Sequence, residues 1–197
     1  MIKNLVFDVG EVLLEYRWKD MLMDYGMTEE KALFFGNTMF NDPLWEELDL
    51  ADRNWEEIIG DYIRKYPDYE REIKWFMTHG EYMHVQRTDV WEKVHELKEK
   101  GYRIYILSNY SEELFRKHTE GAGFIKDADG IVVSYQIHRK KPDAEIYQHL
   151  LNKYGLVPEE SIFFDDRAEN TEGARKAGMK AVTVTSKEQL LRELEVF

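Results

Sequence analysis

The chain of 197 residues is 43% hydrophobic and 34% charged, which suits a globular protein with one full core and an inserted or appended piece. It contains no cysteine, which excludes disulfides, a thiolate nucleophile and cysteine-bound zinc. The net charge of -12 argues against a nucleic-acid partner, and neither a secretory leader nor the roughly 18 to 20 continuous apolar residues of a membrane helix are found, so we expect a cytoplasmic protein with no membrane partner.

Five short apolar segments rich in β-branched and aromatic residues predict strands that are buried on both faces. They are residues 3–8, 103–108, 130–134, 161–165 and 180–185. Helical patterns lie between most of them, at residues 90–101, 111–121, 143–155 and 167–178. Strands that alternate with helices imply βαβ crossovers, so the predicted fold is a doubly wound, three-layer α/β fold with a parallel sheet.

The interval between the first two predicted strands has a different pattern. From about Tyr16 to Val85 no strand is evident, and amphipathic helical stretches such as ADRNWEEIIGDYIRKY and DYEREIKWFMTHGEYM take its place. The interval is rich in aromatic residues and methionines, which we expect to pack as a small core. We therefore predict a helical unit at residues 16–85, inserted into an α/β core formed by residues 1–15 and 86–197.

Polar side chains stand at the ends of the predicted strands. They are Asp8 after the first strand, Ser108 and Asn109 after the second, Lys141 after the third, and Asp165 and Asp166 after the fourth. In an open parallel sheet, ligands bind outside the carboxyl ends of the strands. We therefore expect these residues to meet at one edge of the sheet.

This set of side chains suits phosphate chemistry. The carboxylate of Asp8 could attack phosphorus and form an aspartyl-phosphate, which divides one difficult hydrolysis into two easier displacements. A Mg²⁺ ion between Asp8 and Asp166 would reduce the repulsion between the two anions, and Lys141 would neutralise further charge. The Ser108 hydroxyl and the Asn109 amide, close to a helix start, could hold the other phosphate oxygens.

Four segments carry a resemblance to a known family. FDVGEVL, ILSN, KKPDAEIY and FFDDRAEN, in this order, resemble the four signature segments of the haloacid dehalogenase superfamily of phosphohydrolases, and most closely those of the bacterial glucose-1-phosphatase type. The resemblance covers the whole chain and implies a Rossmann-like core, a small helical cap at residues 16–85 and a Mg²⁺ cofactor. It also implies Asp8 as nucleophile, Ser108 and Asn109 as phosphate-binding residues, Lys141 as the charge-neutralising catalytic residue and Asp166 as a metal ligand.

One position departs from the family pattern. Most phosphatases of the superfamily have a second Asp where this chain has Gly10; the backbone carbonyl of that residue binds the metal, and its carboxyl serves as general acid and base. Gly10 can perform the first task only. Glu11 is the nearest replacement in sequence for the second task. Asp165 either supports the metal site or caps the following helix, and Asn170 either faces the metal site or lies on the surface.

The predicted function is a Mg²⁺-dependent phosphatase for a small phosphorylated metabolite, with a sugar phosphate as the expected substrate. A metal-independent 2-haloacid dehalogenase is one alternative, although the paired acids Asp165 and Asp166 would then repel the Asp8 anion. A phosphomutase or other phosphotransferase is a second alternative, and a non-catalytic binding module derived from a phosphatase is a third. The sequence does not decide between a monomer and a homodimer.

Overall fold

The computed structural model describes residues 1–197 and contains two β-sheets. In chain order the strands are β1 (Asn4–Phe7), β2 (Leu14–Tyr16), β3 (His84–Gln86), β4 (Arg103–Ser108), β5 (Gly130–Val133), β6 (Ser161–Asp165) and β7 (Lys180–Thr183). The main sheet has the order β5-β4-β1-β6-β7, and all its neighbouring strands are parallel. The five strands predicted from the apolar segments are those of this sheet.

Twelve α-helices surround the sheets. They are α1 (Trp18–Asp24), α2 (Glu29–Phe40), α3 (Pro43–Leu50), α4 (Trp55–Lys65), α5 (Glu70–Thr78), α6 (Thr88–Glu99), α7 (Glu112–Thr119), α8 (Gly123–Asp127), α9 (Ser134–Ile137), α10 (Ala144–Tyr154), α11 (Ala168–Lys176) and α12 (Lys187–Leu194). The four helices predicted between strands correspond to α6, α7, α10 and α11. None of the helices is both long enough and apolar enough to span a lipid bilayer.

Strand β1 lies at the centre of the sheet because all four of its residues can be buried. Leu5 and Phe7 point into one hydrophobic cluster, and Val6 points into the second cluster on the opposite face. Burial of each such side chain contributes about 1.5 to 3 kcal/mol, so a one-residue shift in register would be costly. Because β4 and β6 flank β1, the ends of these three strands are neighbours.

Two short strands at the ends of the helical stretch correct the sequence prediction. Leu14–Tyr16 pairs antiparallel with His84–Gln86, so the expectation of no strand from Tyr16 to Val85 is wrong at both ends. Each strand has three residues, which is too short for an alternating pattern to be recognised in the sequence. The pair brings the two ends of the intervening residues 17–83, here called the helical interval, together.

The helical interval contains α1 to α5. Helix α4 begins after Asn54, whose Oδ1 accepts a hydrogen bond from the backbone N–H of Glu56 at 2.8 Å, as an N-cap residue does. The buried face of the interval includes Phe35, Ile58 and Ile73, and these side chains belong to the same cluster as Phe7 of the sheet. The interval is therefore packed on the core through apolar contacts, and its assignment as a separate cap unit stays a prediction.

A buried polar chain also joins the helical interval to the core. His118 of α7 is 1% exposed, and its Nε2 donates to the carbonyl oxygen of Gly80 at 2.8 Å. Its Nδ1 therefore accepts from the Tyr110 hydroxyl, also at 2.8 Å. Burial lowers the pKa of His118 to about 4, so the imidazole is neutral in the folded protein at pH 7.

We expect this histidine to make the protein less stable in acid. Its pKa is 6.5 when unfolded and about 4 when folded, so the unfolded chain binds the proton first and stability falls as the pH is lowered from about 6.5 to about 4. The loss amounts to about 3 kcal/mol, at about 1.4 kcal/mol for each pH unit. Urea unfolding of the wild type and of His118→Gln across this range measures it, with His149→Gln as the control. Equal pH dependence in the wild type and His118→Gln would contradict the expectation.

Candidate active site

A buried lysine between two carboxylates forms the centre of the candidate site. Asp8 directly follows β1, and Asp165 is the last residue of β6. The Nζ atom of Lys141 lies 2.9 Å from Asp8 Oδ1 and 2.5 Å from Asp165 Oδ2. The Ser108 hydroxyl, at the end of β4, donates to Asp8 Oδ1 at 2.5 Å. The structure thus brings together four of the residues selected from the sequence.

Lys141 is charged although it is buried. Its side chain is 1% exposed, and that of Asp165 is 0% exposed. Burial alone would lower the pKa of Lys141, but Asp165 and Asp8 outweigh burial and raise it. Its position is held by Asn109, whose Oδ1 accepts from the Lys141 backbone N–H at 2.8 Å and whose Nδ2 donates to the Lys141 carbonyl at 3.0 Å. The side chain of Asn109 therefore positions the lysine.

Asp165 is occupied by contacts with the protein. Its Oδ1 accepts from the backbone N–H of Arg167 at 2.8 Å and from Asn170 Nδ2 at 2.9 Å, and its Oδ2 faces Lys141. Arg167 directly precedes α11, while Lys141 and Asn170 line the site, and both roles proposed for Asp165 stay predictions. Asn170 is 3% exposed, so it lies inside the protein and not on its surface.

The acids outnumber the cation at this site. Carboxylate oxygens of Asp8, Asp165 and Asp166 lie within 4.8 Å of one another. Burial raises the pKa of Asp8 to about 7; Lys141 opposes this shift, and Asp165 and Asp166 add to it. Burial and Asp165 raise the pKa of Asp166 to about 6. This oxygen donor set with excess negative charge fits Mg²⁺, for which Asp8 and Asp166 would be the protein carboxylate ligands.

A cavity of about 280 Å³ opens over these residues. On the side of the sheet its walls include Asp8, Gly10, Ser108, Asn109, Lys141 and Asp166. The other lining residues come mainly from the helical interval and include Trp18, Phe40, Trp45, Asp49 and Met83. The predicted site residues therefore share one cavity, while Asp165 lies behind it. The phosphate-binding and metal-binding roles of these residues stay predictions.

Tyr16 fills the space beside Gly10. Any side chain at position 10 would bring its Cβ to 2.5 Å from the Tyr16 hydroxyl and to 2.7 Å from the tyrosine ring. An Asp at this position would therefore require Tyr16 to move, which overpacking makes unfavourable. Burial, together with the neighbouring Tyr110, raises the pKa of Tyr16 well above its usual value. Gly10 thus belongs to a packing arrangement in which the end of the Tyr16 side chain occupies the space that a side chain at position 10 would need.

Both oxygens of the Glu11 carboxyl group are engaged by other protein groups. Its Oε1 accepts from the Tyr16 backbone N–H at 2.9 Å, and its Oε2 lies 3.3 Å from Nη2 of the buried Arg87. Arg87 also donates from Nη1 to the Glu11 carbonyl at 2.5 Å. Glu11 itself has a φ of 55° in the left-handed region, which is unfavourable for a non-glycine residue. These contacts support a structural role at the start of β2.

Asp49 is a residue of the cavity that the sequence analysis did not select. It lies near the end of α3 and is half-buried. Burial, followed by the charges of Asp8 and Glu46, raises the pKa of Asp49 to about 7. The surrounding segment EELDLAD contains three other acids, and nothing in its pattern distinguishes Asp49 from an acid on a solvated helix. Only the folding of the helical interval over the sheet brings it to the site.

The fold and the site define an α/β enzyme with a polar centre at the carboxyl edge of a parallel sheet. The model of the haloacid dehalogenase-like hydrolases matches residues 19–184, and the chain belongs to this family. The family predicted from the four segments is thereby confirmed, while the sugar-phosphate subgroup stays a prediction.

Three comparisons illustrate the range of similar proteins. A sesquiterpene phosphatase of Aspergillus oryzae is 32% identical over 192 residues, which are 93% of this chain and 90% of the relative. An (S)-2-haloacid dehalogenase of Burkholderia cepacia is 29% identical over 177 residues, 87% of this chain and 65% of the relative. A HAD-family enzyme of Bacteroides thetaiotaomicron, crystallised with magnesium and inorganic phosphate, has a TM-score of 0.73 at 23% identity, covering 94% of this chain and 96% of that one.

Proposed function

We propose that the protein is a Mg²⁺-dependent phosphatase that hydrolyses a small phosphorylated metabolite through an aspartyl-phosphate on Asp8. The observation that carries this proposal is the shared cavity, in which the carboxylate of Asp8 meets Lys141, Ser108 and Asp166. The sesquiterpene phosphatase that resembles the chain over nearly its whole length supports phosphatase activity. The similar fold crystallised with magnesium and phosphate supports the choice of metal.

The contacts of Asp8 prepare one of its oxygens for attack. The Val9 backbone N–H, the Ser108 hydroxyl and Lys141 Nζ all contact Oδ1, at 2.8, 2.5 and 2.9 Å. These contacts fix the carboxylate plane and leave Oδ2 to form the bond to phosphorus. Lys141 offsets part of the negative charge that the phosphoryl group brings. A bound Mg²⁺ ion would supply further charge neutralisation and would orient a phosphate oxygen.

The size and lining of the cavity support a small substrate. Its volume of about 280 Å³ is at the lower end of ligand pockets, so the phosphoryl group leaves room for a leaving group of about the size of a monosaccharide. The rings of Trp18, Phe40 and Trp45 form a connected wall, with centroid separations of 5.4 and 4.5 Å. Aromatic faces of this kind pack against the apolar face of a sugar ring, and we therefore propose a sugar phosphate as the substrate.

A dehalogenase is the second candidate because Gly10 removes the usual acid and because a haloacid dehalogenase is among the similar proteins. Three neighbouring carboxylates with one lysine favour the phosphatase, since a cation between Asp8 and Asp166 offsets their repulsion. Phosphotransfer uses the same first step and differs only in the acceptor. A binding module would retain ligand binding without turnover. The cytoplasmic location stays a prediction.

The proposed function is tested by phosphate release from a panel of sugar phosphates, with a sesquiterpene phosphate included. We expect turnover with Mg²⁺, loss of turnover in EDTA and recovery when Mg²⁺ is returned in excess. Asp166→Asn should raise the Mg²⁺ concentration needed for half-maximal activity by about tenfold or more, because ligand and near-ligand changes weaken metal binding to this extent. Asp20→Asn, an exposed aspartate of α1, is the matched control.

Each alternative gives a different result in this assay. Turnover that persists in EDTA contradicts the metal dependence. Halide release from 2-haloacids without added metal indicates the dehalogenase, and transfer of phosphate to an added sugar or alcohol indicates a phosphotransferase. Binding of Mg²⁺ and phosphate without turnover of any ester indicates the binding module.

A further inference from the structure

Phosphoester hydrolysis at this site lacks an evident proton donor. The leaving oxygen needs a proton when the ester bond breaks, and the attacking water must lose one later. Gly10 carries no acid, and Tyr16 occupies the adjacent space. The two oxygens of Glu11 are already engaged with Tyr16 and Arg87. A side chain that performs these proton transfers would therefore have to come from elsewhere in the cavity.

Asp49 is the carboxylate that the helical interval contributes to this cavity. Asp49 lies on α3, whereas Asp8 and Asp166 follow β1 and β6 at the carboxyl edge of the sheet. The charge of Asp8 contributes to the raised pKa of Asp49, and a leaving group whose phosphoryl group had met Asp8 would lie within the cavity that both carboxyl groups line. No protein group forms a hydrogen bond or ion pair with the Asp49 carboxylate, in contrast to Glu11.

The backbone at Asp49 is fixed to the core. The Ser134 hydroxyl, at the start of α9, donates to the Asp49 carbonyl at 2.6 Å. One residue later, His138 Nδ1 lies 2.7 Å from the Leu50 carbonyl, and Lys140 Nζ lies 2.5 Å from Glu46 one turn earlier. These three contacts hold the end of α3 against the segment that leads to Lys141. The position of Asp49 relative to Lys141 is thus defined by direct contacts.

We propose that Asp49 is the general acid and general base of the reaction, in place of the acid that position 10 lacks; this role rests on the proposed phosphatase function. The raised pKa of Asp49, about 7, is consistent with it, because at neutral pH the carboxyl group can be present in both the acid and the base form.

The reaction has two steps, and Asp49 transfers one proton in each. In the first, an oxygen of Asp8 forms a bond to phosphorus, the ester P–O bond breaks, and the leaving oxygen receives the electron pair and then the proton of the Asp49 carboxyl. In the second, the Asp49 carboxylate takes a proton from water while the water oxygen bonds to phosphorus. The bond between phosphorus and Asp8 breaks, its electron pair returns to the Asp8 carboxylate, and Asp49 is protonated again.

The test compares Asp49→Asn with the wild type on two esters. p-Nitrophenyl phosphate has a leaving group that departs without a proton, whereas a sugar phosphate does not. We expect kcat/KM to fall by about 100-fold or more for the sugar phosphate and by less than about tenfold for the aryl ester. The second step still needs a base, so Asp49→Asn should show a burst of about one equivalent of p-nitrophenol and then slow turnover. Asp52→Asn, an exposed acid of the same segment, is the control.

The outcomes separate the two proposals. No turnover of any ester by the wild type overturns the proposed function itself. Wild-type turnover with equal losses for both esters, or with no loss, overturns the role of Asp49 alone. Thermal unfolding checks that Asp49→Asn is folded, and Asp49→Ala provides a second variant that must show the same dependence on the leaving group.

Discussion

Asp8→Asn is expected to abolish phosphate release, with a fall in kcat of about 10⁴-fold or more, as for the loss of other catalytic nucleophiles. An amide oxygen is a poor nucleophile, while the side chain keeps the shape of Asp. It can still accept the hydrogen bond from Ser108 through Oδ1. The site should therefore remain assembled, and the loss should be confined to the chemical step.

The free energy of unfolding of Asp8→Asn should not fall with its activity. Burial raises the pKa of Asp8 to about 7, above its value in the unfolded chain, so folding at higher pH has to retain an unfavourable negative charge. The neutral Asn removes this cost, and we expect the free energy of unfolding at pH 8 to be unchanged or greater. Urea unfolding and a phosphate-release assay on the same preparation measure both effects, with Asp20→Asn as the control. Appreciable turnover by folded Asp8→Asn would contradict the nucleophile assignment.

The main sheet was predictable because its three central strands β1, β4 and β6 are buried on both faces. Such strands are visible in the sequence as short, nearly continuous apolar runs, of which NLVF is an example. The helices between the runs imply parallel pairing. The pair β2 and β3 was not predictable, because three residues show neither alternation nor a long apolar run. The pairing of Leu14–Tyr16 with His84–Gln86 depends on how the whole helical interval folds back.

The residues that line the cavity from the sheet could be predicted from the sequence, because the parallel sheet itself could be predicted. Parallel strands deliver their last residues to one edge, so Asp8, Ser108 and Asp166 could be placed together before the structure was known. The choice of Asp166 over Asp165 as the metal ligand rested on the family resemblance, because the two adjacent acids alone do not show which side chain faces the cavity. In the structure Asp166 lines the cavity, while Asp165 contacts Lys141 and Arg167.

The other half of the cavity comes from the helical interval and from Tyr16 of β2, and it gave no local signal in the sequence. Tyr16 and Asp49 reach the cavity only through the fold of β2 and α3 over the sheet. The space beside Gly10 depends on this packing. The sequence pattern shows that position 10 lacks the usual Asp, but it does not show that the Tyr16 ring lies there. Such residues become visible only when long-range contacts are known.

Lys141→Met should damage both stability and activity. Met has a similar length and can fill the same volume, but it leaves Asp8 and Asp165 buried without the cation that lies 2.9 and 2.5 Å from them. Removal of one partner from a buried charge cluster costs about 3 to 5 kcal/mol, and we expect this loss in urea unfolding at pH 8. Activity should fall by about 10³-fold or more because the incoming phosphate also loses a positive partner.

The pH dependence of Lys141→Met distinguishes charge from packing. Without the lysine, the main opposition to burial and to the neighbouring acids, which raise the pKa of Asp8, is lost. Between the lower pKa of Asp8 in the unfolded chain and its higher pKa in the folded variant, only the folded variant binds the proton. Stability of the variant should therefore recover as the pH is lowered from 8 towards 5. Lys100→Met, an exposed lysine at the end of α6, should show neither the loss nor the recovery. A loss that is independent of pH would mean that Lys141 acts through its volume, and that the charge balance proposed for this site is wrong.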